Sequence, residues 1–198
     1  MTQYILPWRK RSKDLPSHLG GHCGRTWVDE GSLTYMFQQF NVRSMLDIGC
    51  GPGGMKVYAK KLGISWLGVD GDFTQHQEDL IIHDFSSGSL SIGDHDLAWS
   101  VEFLEHVEEE YMDNYMAAFS SCKYVICTAA PPGWEGTHHV NTQTRDYWIS
   151  AFSRYGFDYC AEELEELLKH STMQKRTDQS FLEMTGMFFV NKESTDGA

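Results

Sequence analysis

Residues 101–110, VEFLEHVEEE, bring three side chains that can bind a metal ion or carry a proton within five positions of one another. Glu102, Glu105 and His106 have i, i+3, i+4 spacing, so on a helical turn they share one face. Three interpretations are open. The acids are ordinary carboxylates at a helix N-terminus beside a structural histidine, or His106 is a general base with a usual pKa of about 6.5, or all three bind Mg²⁺, Mn²⁺ or Zn²⁺.

A second stretch, GTHHVNTQTRDYW, ends at Trp148 and offers further metal ligands. His138 and His139 follow a predicted strand, in a loop that faces the same crevice, and they are either ligands or surface residues. Trp134, Tyr147 and Trp148 either line an acceptor pocket or pack inside the protein. A metal held here would bind and acidify the hydroxyl of a substrate.

The elements that position these residues alternate between short apolar strands and amphipathic helices. Asp29 caps a predicted helix, and SMLDI, SWLGVD, DLIIHD, DLAWSV, KYVICTAA and TGMFFVNK are predicted strands. Helices are predicted for residues 53–62, for EEEYMDNYMAAF, for TRDYWISAFSRYGF and around EELEELL. This alternation indicates a parallel, doubly wound α/β sheet, in which ligands bind beyond the carboxyl ends of the strands.

The glycine-rich stretch LDIGCGPGG joins the first predicted strand to a helix. Gly49, Gly51 and Gly54 satisfy GxGxxG, which lets the backbone approach a ligand closely at a helix N-terminus. Dinucleotides and S-adenosylmethionine are both bound in this way. Asp47 favours S-adenosylmethionine, because its carboxylate repels a pyrophosphate but attracts an ammonium and a sulfonium.

Acidic residues also end the next two strands. Asp70, at the end of the second strand, can accept hydrogen bonds from two ribose hydroxyls. Asp84, at the end of the third, can accept one from an adenine amino group, with Phe85 or Phe73 against the base. The order of these acids therefore matches the parts of an adenosyl ligand.

LDIGCGPGG, GVDGD, HDF and WSVEFLEHV, in this order, resemble the successive motifs of class I S-adenosylmethionine-dependent methyltransferases. The resemblance covers about residues 29–190. It implies an α/β fold with a Rossmann-like, doubly wound seven-stranded sheet, mostly parallel with an antiparallel last strand and with helices on both faces. It divides the chain into an N-terminal leader, residues 1–28, and a methyltransferase domain, residues 29–198.

The resemblance also implies roles for individual residues. Asp47, Gly49 and Gly51 would hold the methionyl end, with Ser100 beneath it. The segment HLGGHCGRTWVDEG, residues 18–31, is similar to a leader of some uncharacterised bacterial and viral methyltransferases and is expected to cover the cofactor or to shape the substrate pocket. The expected cofactor-binding residues are Arg25, Asp47, Gly49, Gly51, Asp70, Gly71, Asp84, Phe85 and Ser100.

ExxEH, followed by His139 and then Trp148, resembles two groups of metal-dependent O-methyltransferases. The small-RNA 3′-end 2′-O-methyltransferases use this set of four ligands, and the ubiquinone-pathway O-methyltransferases share the ExxEH part. The implied metal ligands are Glu102, Glu105, His106 and His139. The implied catalytic residues are His106, Glu105 and His139.

Composition limits the partners of the protein. The net charge of −12 disfavours a nucleic acid, so the predicted acceptor is a small molecule with a hydroxyl. Five cysteines without a CxxC pair, and no apolar run near the roughly 18 residues of a membrane span, predict a cytoplasmic protein. The alternatives are a metal-free N- or C-methyltransferase with His106 as base, an RNA ribose 2′-O-methyltransferase, an NAD-dependent oxidoreductase and a nucleotide-binding scaffold.

Overall fold

The structure, a computed structural model, describes residues 10–194, and within them one seven-stranded sheet has the order β3-β2-β1-β4-β5-β7-β6. The strands are β1 (Ser44–Ile48), β2 (Ser65–Asp70), β3 (Leu80–Ile82), β4 (His95–Ser100), β5 (Cys122–Cys127), β6 (Phe157–Tyr159) and β7 (Met187–Asn191). β1 to β5 pair in parallel, while β7 runs antiparallel to β5 and β6. The predicted fold class is confirmed.

Helices cover both faces of this sheet. They are α1 (Glu30–Gln39), α2 (Met55–Leu62), α3 (Met112–Ser120), α4 (Arg145–Arg154), α5 (Ala161–His170) and α6 (Phe181–Thr185). Alternate strand residues belong to two separate cores, because successive side chains of a strand point to opposite faces. Ala98 of β4 lies in the core with α3 and α4, and its neighbours Leu97 and Trp99 lie in the core with α1, α2, α5 and α6.

The chain order sets the position of the site. β1 leads to β2 on one side and pairs with β4 on the other, so the order reverses between β1 and β4. A crevice opens beyond the carboxyl ends of strands at such a reversal. The glycine-rich loop and VEFLEHVEEE follow these two strands directly. Among the described residues, no helix has the length and apolar character needed to cross a membrane.

The predicted helical turn at Glu102–His106 is wrong. Glu102 has a positive φ of 55°, and only Leu104–His106 form one turn of 3-10 helix. The Glu102 amide donates to Oγ1 of Thr128, at 2.9 Å, which turns the chain out of the sheet before a helix can begin. A second 3-10 turn, Glu109–Tyr111, precedes α3, so the predicted helix also begins later than expected.

Asp29 is the N-cap of α1, as predicted, and it also ties α1 to the segment after α5. Its buried carboxylate accepts from the Ser32 amide at 2.9 Å and from the Thr172 amide at 2.8 Å. The hydroxyls of Ser32 and Ser171 donate to it as well, at 2.7 and 2.5 Å. One side chain therefore satisfies donors from two distant parts of the chain.

We expect Asp29→Ala to lower the free energy of unfolding by about 3 kcal/mol, because it removes a helix cap and leaves buried donors without an acceptor. Asp29→Asn keeps one acceptor oxygen and should lose less. Urea denaturation measures both variants, with the exposed Asp178→Ala as control. A loss no larger than that of the control would contradict this role of Asp29.

Candidate functional site

The glycine-rich loop after β1 is fixed against the end of β2. Gly49 has a positive φ of 71°, and its amide donates to the carbonyl of Val69 at 2.9 Å. The Gly51 amide donates to Oδ2 of Asp70 at 2.7 Å, and the Asp72 amide donates to Oδ1 at 2.8 Å. Asp70 therefore lies directly beneath the loop, and each of its oxygens keeps a further lone pair for a ligand hydroxyl.

Asp47 is buried near the end of β1, just before the same loop. Oδ2 of Asp47 accepts from the indole Nε1 of Trp66 at 3.0 Å, and burial raises the pKa of Asp47 to about 7. Burial also raises the pKa of Asp70. Two desolvated carboxyls beside one cavity favour a ligand that carries a positive charge, which would lower both pKa values.

A first cavity opens above these residues. Its wall includes seven of the nine expected cofactor-binding residues: Arg25, Asp47, Gly49, Asp70, Gly71, Asp84 and Phe85. Gly51 lies behind this wall, where a Cβ would come within 3.1 Å of the Arg25 carbonyl oxygen. Phe73, the other aromatic considered for the base, is exposed and is not part of the wall.

Ser100 does not reach the first cavity. Its side chain is fully buried, and its hydroxyl donates to the carbonyl of Ile48 at 3.0 Å, which joins β4 to β1. Trp99 and Val101 contribute to the wall on either side of it. Ser100 is therefore placed as a structural link between two strands, and the expected contact with a methionyl group has no support from its position.

Residues 18–27 of the leader form the opposite wall of the first cavity. Nε2 of His18 lies 2.8 Å from Oδ2 of Asp84, and Nε2 of His22 lies 3.0 Å from Oδ2 of Asp72. Burial opposes the shift, but hydrogen bonds from Thr74 and Gln75 hold the pKa of Asp72 below its usual value. Hydrogen bonds from His18 and Ser86 do the same for the pKa of Asp84. His18, His22 and Asp72 were not predicted as site residues, because the histidines are 66 and 50 positions from their partners.

Arg11 stabilises the fold of the leader through hydrogen bonds to three backbone carbonyls. Its Nε donates to the carbonyl of Leu19 at 2.6 Å, and its guanidinium also donates to the carbonyls of Leu15 and Pro16. The leader begins with a basic arm that includes RKRSK, residues 9–13, and within this arm Arg11 is therefore a structural residue. Arg9 of the same arm lies outside the described residues.

Three of the four expected metal ligands come together beside the first cavity. Glu105, His106 and His139 each offer one ligand atom, and these atoms lie within 4.8 Å of one another. Nε2 of His106 is 4.0 Å from Oε1 of Glu105. Nδ1 of His139 is 2.9 Å from the carbonyl of Trp134; as the donor there, it leaves Nε2 with a free lone pair, which is the tautomer that a metal ligand needs.

Backbone hydrogen bonds hold the segment of Glu105 and His106 against the loop that contains His139. The amides of Val140 and Asn141 both donate to the carbonyl of Glu105, at 3.0 and 3.1 Å. The side-chain amide of Asn141 donates to the carbonyl of Val107, so Asn141 acts as a loop residue. Gly136 lies against the imidazole of His139, where a Cβ would come within 2.0 Å of Nε2. His139 can therefore hold its position only beside a glycine.

Glu102 lies next to this cluster but is not one of the three residues whose ligand atoms meet. Oε1 of Glu102 accepts from Oγ1 of Thr128 at 2.9 Å. This corrects the expectation that Glu102 shares a helical face with Glu105 and His106, since the left-handed conformation at Glu102 turns its side chain toward β5. Its carboxyl remains close enough to Glu105 for the two to interact.

The electrostatics of the cluster fit a cation. Glu105 is fully buried, and among the described residues neither of its carboxylate oxygens has a hydrogen-bond partner. Burial and the nearby Glu102 raise the pKa of Glu105 well above its usual value, and burial raises that of Glu102 to about 7. An unpartnered buried carboxyl facing two imidazoles is costly without a positive charge.

The pKa of His106 differs from that expected of a general base. Burial and the neighbouring His139 lower the pKa of His106 to about 4, although the carbonyls of Thr137 and His138 oppose the shift. A base this weak is poorly matched to removing a proton from a hydroxyl near neutral pH. A neutral imidazole is, however, the form that binds a metal.

A second cavity adjoins the first at this cluster. Glu102 and His106 line both cavities, and Glu105 and His139 line only the second. Trp134 contributes to its wall, as the sequence allowed. Trp148 instead lies in the core, and the hydroxyl of Tyr147 donates to Glu109, so neither lines this cavity. The site thus consists of two connected spaces with the cluster between them.

No protein-family model and no curated protein matches the chain. Solved structures match its fold. Magnesium protoporphyrin IX methyltransferase from Synechocystis PCC 6803, with bound S-adenosylmethionine, is 15% identical over 80% of this chain and 76% of that one, with a TM-score of 0.55. The methyltransferase domain of bacterial CtHen1 is 14% identical over 81% of this chain and 95% of that one, with a TM-score of 0.51.

The [4+2]-cyclase SpnF matches equally well, at 14% identity over 81% of this chain and 80% of that one, with a TM-score of 0.55. All three identities are low, so the matches establish the Rossmann-like fold shared with methyltransferases. The cyclase among them means that the fold alone does not determine the reaction.

Proposed function

We propose that this chain is an S-adenosylmethionine-dependent methyltransferase that acts on a hydroxyl oxygen of a small molecule, assisted by a divalent cation. The observation that carries the proposal is the shared wall of the two cavities. Residues suited to S-adenosylmethionine line the first cavity, and a set of metal ligands lies where it meets the second. The methyl donor and the acceptor would therefore face each other across Glu102 and His106.

In the first cavity, each end of the cofactor has a chemically suitable partner. Asp70 would accept hydrogen bonds from ribose hydroxyls, and Asp47 would attract the methionyl ammonium. Asp84 already accepts from His18 and Ser86, so we assign the adenine end to Asp84 and His18 together, against Phe85. Residues 18–27 of the leader would exclude water from this cavity. When bound, S-adenosylmethionine supplies a methyl group on a positively charged sulfur.

In the second cavity, Glu105, His106 and His139 would hold the cation, with Glu102 beside them. Mg²⁺, Mn²⁺ and Zn²⁺ all accept oxygen and imidazole ligands. A cation at this site would polarise an acceptor hydroxyl and lower its pKa. The protein would contribute mainly proximity and orientation, because the two cavities hold the reacting groups on either side of one wall.

The alternatives predict different ligands. An NAD-dependent oxidoreductase would place a pyrophosphate beside the buried Asp47, which its carboxylate disfavours. A nucleotide-binding scaffold would bind the cofactor without turnover. The low pKa of His106 disfavours a metal-free enzyme with this base. An RNA ribose acceptor is disfavoured by the net charge of −12.

Calorimetry with S-adenosylhomocysteine and with NAD tests the cofactor assignment. We expect S-adenosylhomocysteine to bind with one site per chain and NAD not to bind at the same concentrations. Asp70→Ala should weaken the binding of S-adenosylhomocysteine by about tenfold or more, because the ribose hydroxyls lose the buried carboxylate that accepts their hydrogen bonds. Binding of NAD alone, or an unchanged affinity in Asp70→Ala, would contradict the assignment.

A further inference from the structure

The second cavity has an exposed edge that differs in charge from the rest of the protein. Lys175 and Arg176, from the loop between α5 and α6, line this edge, and Arg25 lines the same cavity. The whole chain has 16 basic and 28 acidic residues. Three basic side chains at one cavity of an acidic protein indicate that the cavity receives a negatively charged group.

The acidic residues of the same cavity do not cancel these charges. Glu105 and Glu102 face the metal cluster, where a divalent cation would compensate them. The charge of Arg176 also acts on Glu102 and partly opposes the rise of its pKa. Glu135 is exposed to solvent, where water screens its charge. With the cation bound, the edge of the second cavity is therefore positive.

Arg176 is held in place by aromatic rings. Its guanidinium carbon lies 5.2 Å from the ring centre of Phe181 and 6.0 Å from that of Trp134. Lys175 pairs with Glu183 at 3.4 Å, whereas Arg176 forms no salt bridge within 4.0 Å to any carboxylate in residues 10–194. An exposed guanidinium over aromatic rings, with no described carboxylate within salt-bridge distance, keeps its donors available for two oxygens of one ligand.

The wall of the second cavity beside Arg176 is aromatic. The rings of Trp134 and Phe181 are 6.1 Å apart, and the ring of Trp27 packs edge-on against Phe181 at 4.9 Å. Trp134 contacts both the cation ligands and the basic edge of the second cavity. Its carbonyl accepts from Nδ1 of His139, and its ring lies beneath Arg176. One residue thus connects the cation ligands to the basic edge.

We propose that the acceptor carries an anionic group, a carboxylate or a phosphate, on the same small molecule as the methylated hydroxyl, and that Arg176 binds this anion. The hydroxyl faces Glu105, His106 and His139, and the body of the molecule lies on Trp134 and Phe181. This inference rests on the proposed function, because it assigns the second cavity to the acceptor. It makes Arg176 a residue that determines acceptor specificity.

Two pairs of probes test the inference by calorimetry, each in the presence of saturating S-adenosylhomocysteine and Mn²⁺. Protocatechuate and catechol differ by a carboxylate, and AMP and adenosine differ by a phosphate. We expect the anionic member of one pair to bind about tenfold or more tightly than its neutral partner, because a charge-assisted bidentate contact is gained. The pair that shows the preference identifies the anion.

Arg176→Gln should abolish this preference without changing the affinity for S-adenosylhomocysteine. Arg43→Gln is the matched control, since Arg43 also stacks on an aromatic ring, 4.1 Å from the centre of Phe37, but lies at the opposite ends of the strands. No preference in either pair, no binding of either anion, or a preference that persists in Arg176→Gln would overturn the inference. Failure to bind S-adenosylhomocysteine would instead contradict the proposed function.

Discussion

Glu105→Gln should lower methyl transfer by about 100-fold or more, because it replaces the charged oxygen ligand of the proposed cation with a neutral amide. The free energy of unfolding measured in EDTA should not fall, since the substitution removes a buried carboxyl whose oxygens have no hydrogen-bond partner among the described residues. Loss of activity without loss of stability is the result that a purely structural Glu105 would not give.

The matched control for this substitution is Glu135→Gln. Glu135 lines the second cavity, as Glu105 does, but it is exposed and lies outside the ligand cluster. Initial rates with radiolabelled S-adenosylmethionine and urea denaturation in EDTA compare the two variants with the wild type. If both variants retained full turnover, Glu105 would not be a ligand required for the reaction. If Glu105→Gln were strongly destabilised in EDTA, a structural role would explain its loss of activity.

Gly49→Ala should abolish measurable binding of S-adenosylhomocysteine, a loss of about 100-fold or more if the loop moves by even one ångström. A Cβ at Gly49 would come within 2.6 Å of Cδ2 of Phe103 and within 2.8 Å of its Cβ. Phe103 is packed between the rings of Phe85 and Tyr115, so it cannot turn away freely. The loop would shift, and the wall of the first cavity would shift with it.

Gly63→Ala is the matched control. It separates the effect of the contact with Phe103 from the effect of the left-handed backbone conformation. Gly63 has a φ of 74°, nearly the same as the 71° of Gly49, but no atom lies within 4 Å of the position of its Cβ. Both variants should lose about 1 kcal/mol of stability from the left-handed conformation, and Gly49→Ala should lose more because of its contact with Phe103. Only Gly49→Ala should lose affinity in calorimetry. Equal affinities for the two variants would contradict the placement of the cofactor against Gly49.

Most of the sheet was predictable because its strands are short apolar runs that end in glycine or acidic residues. SMLDI and SWLGVD became β1 and β2 with the predicted bounds. β6 was not found as a strand, because its three residues, Phe157–Tyr159, are too short to show a pattern. The antiparallel direction of β7 came from the family resemblance, since a strand sequence does not contain its direction.

The candidate site was predictable in part. The motifs named Glu105, His106 and His139, and the most distant pair, Glu105 and His139, is 34 positions apart in the sequence. The three meet because both segments follow neighbouring parallel strands. The conformation of Glu102 was not predictable, because it depends on a hydrogen bond with Thr128 of a different strand end. The contacts of His18 and His22 were missed for the same reason, since they depend on how the leader folds back over the sheet.

The most direct test of the proposed cation site is a calorimetric titration of Mn²⁺ into the complex with S-adenosylhomocysteine, with wild type beside His139→Ala. We expect one Mn²⁺ per chain in the wild type and none in His139→Ala at the same concentrations, while both proteins keep their affinity for S-adenosylhomocysteine. Absence of Mn²⁺ binding in the wild type, or binding of equal strength in the variant, would contradict a cation site formed by Glu105, His106 and His139.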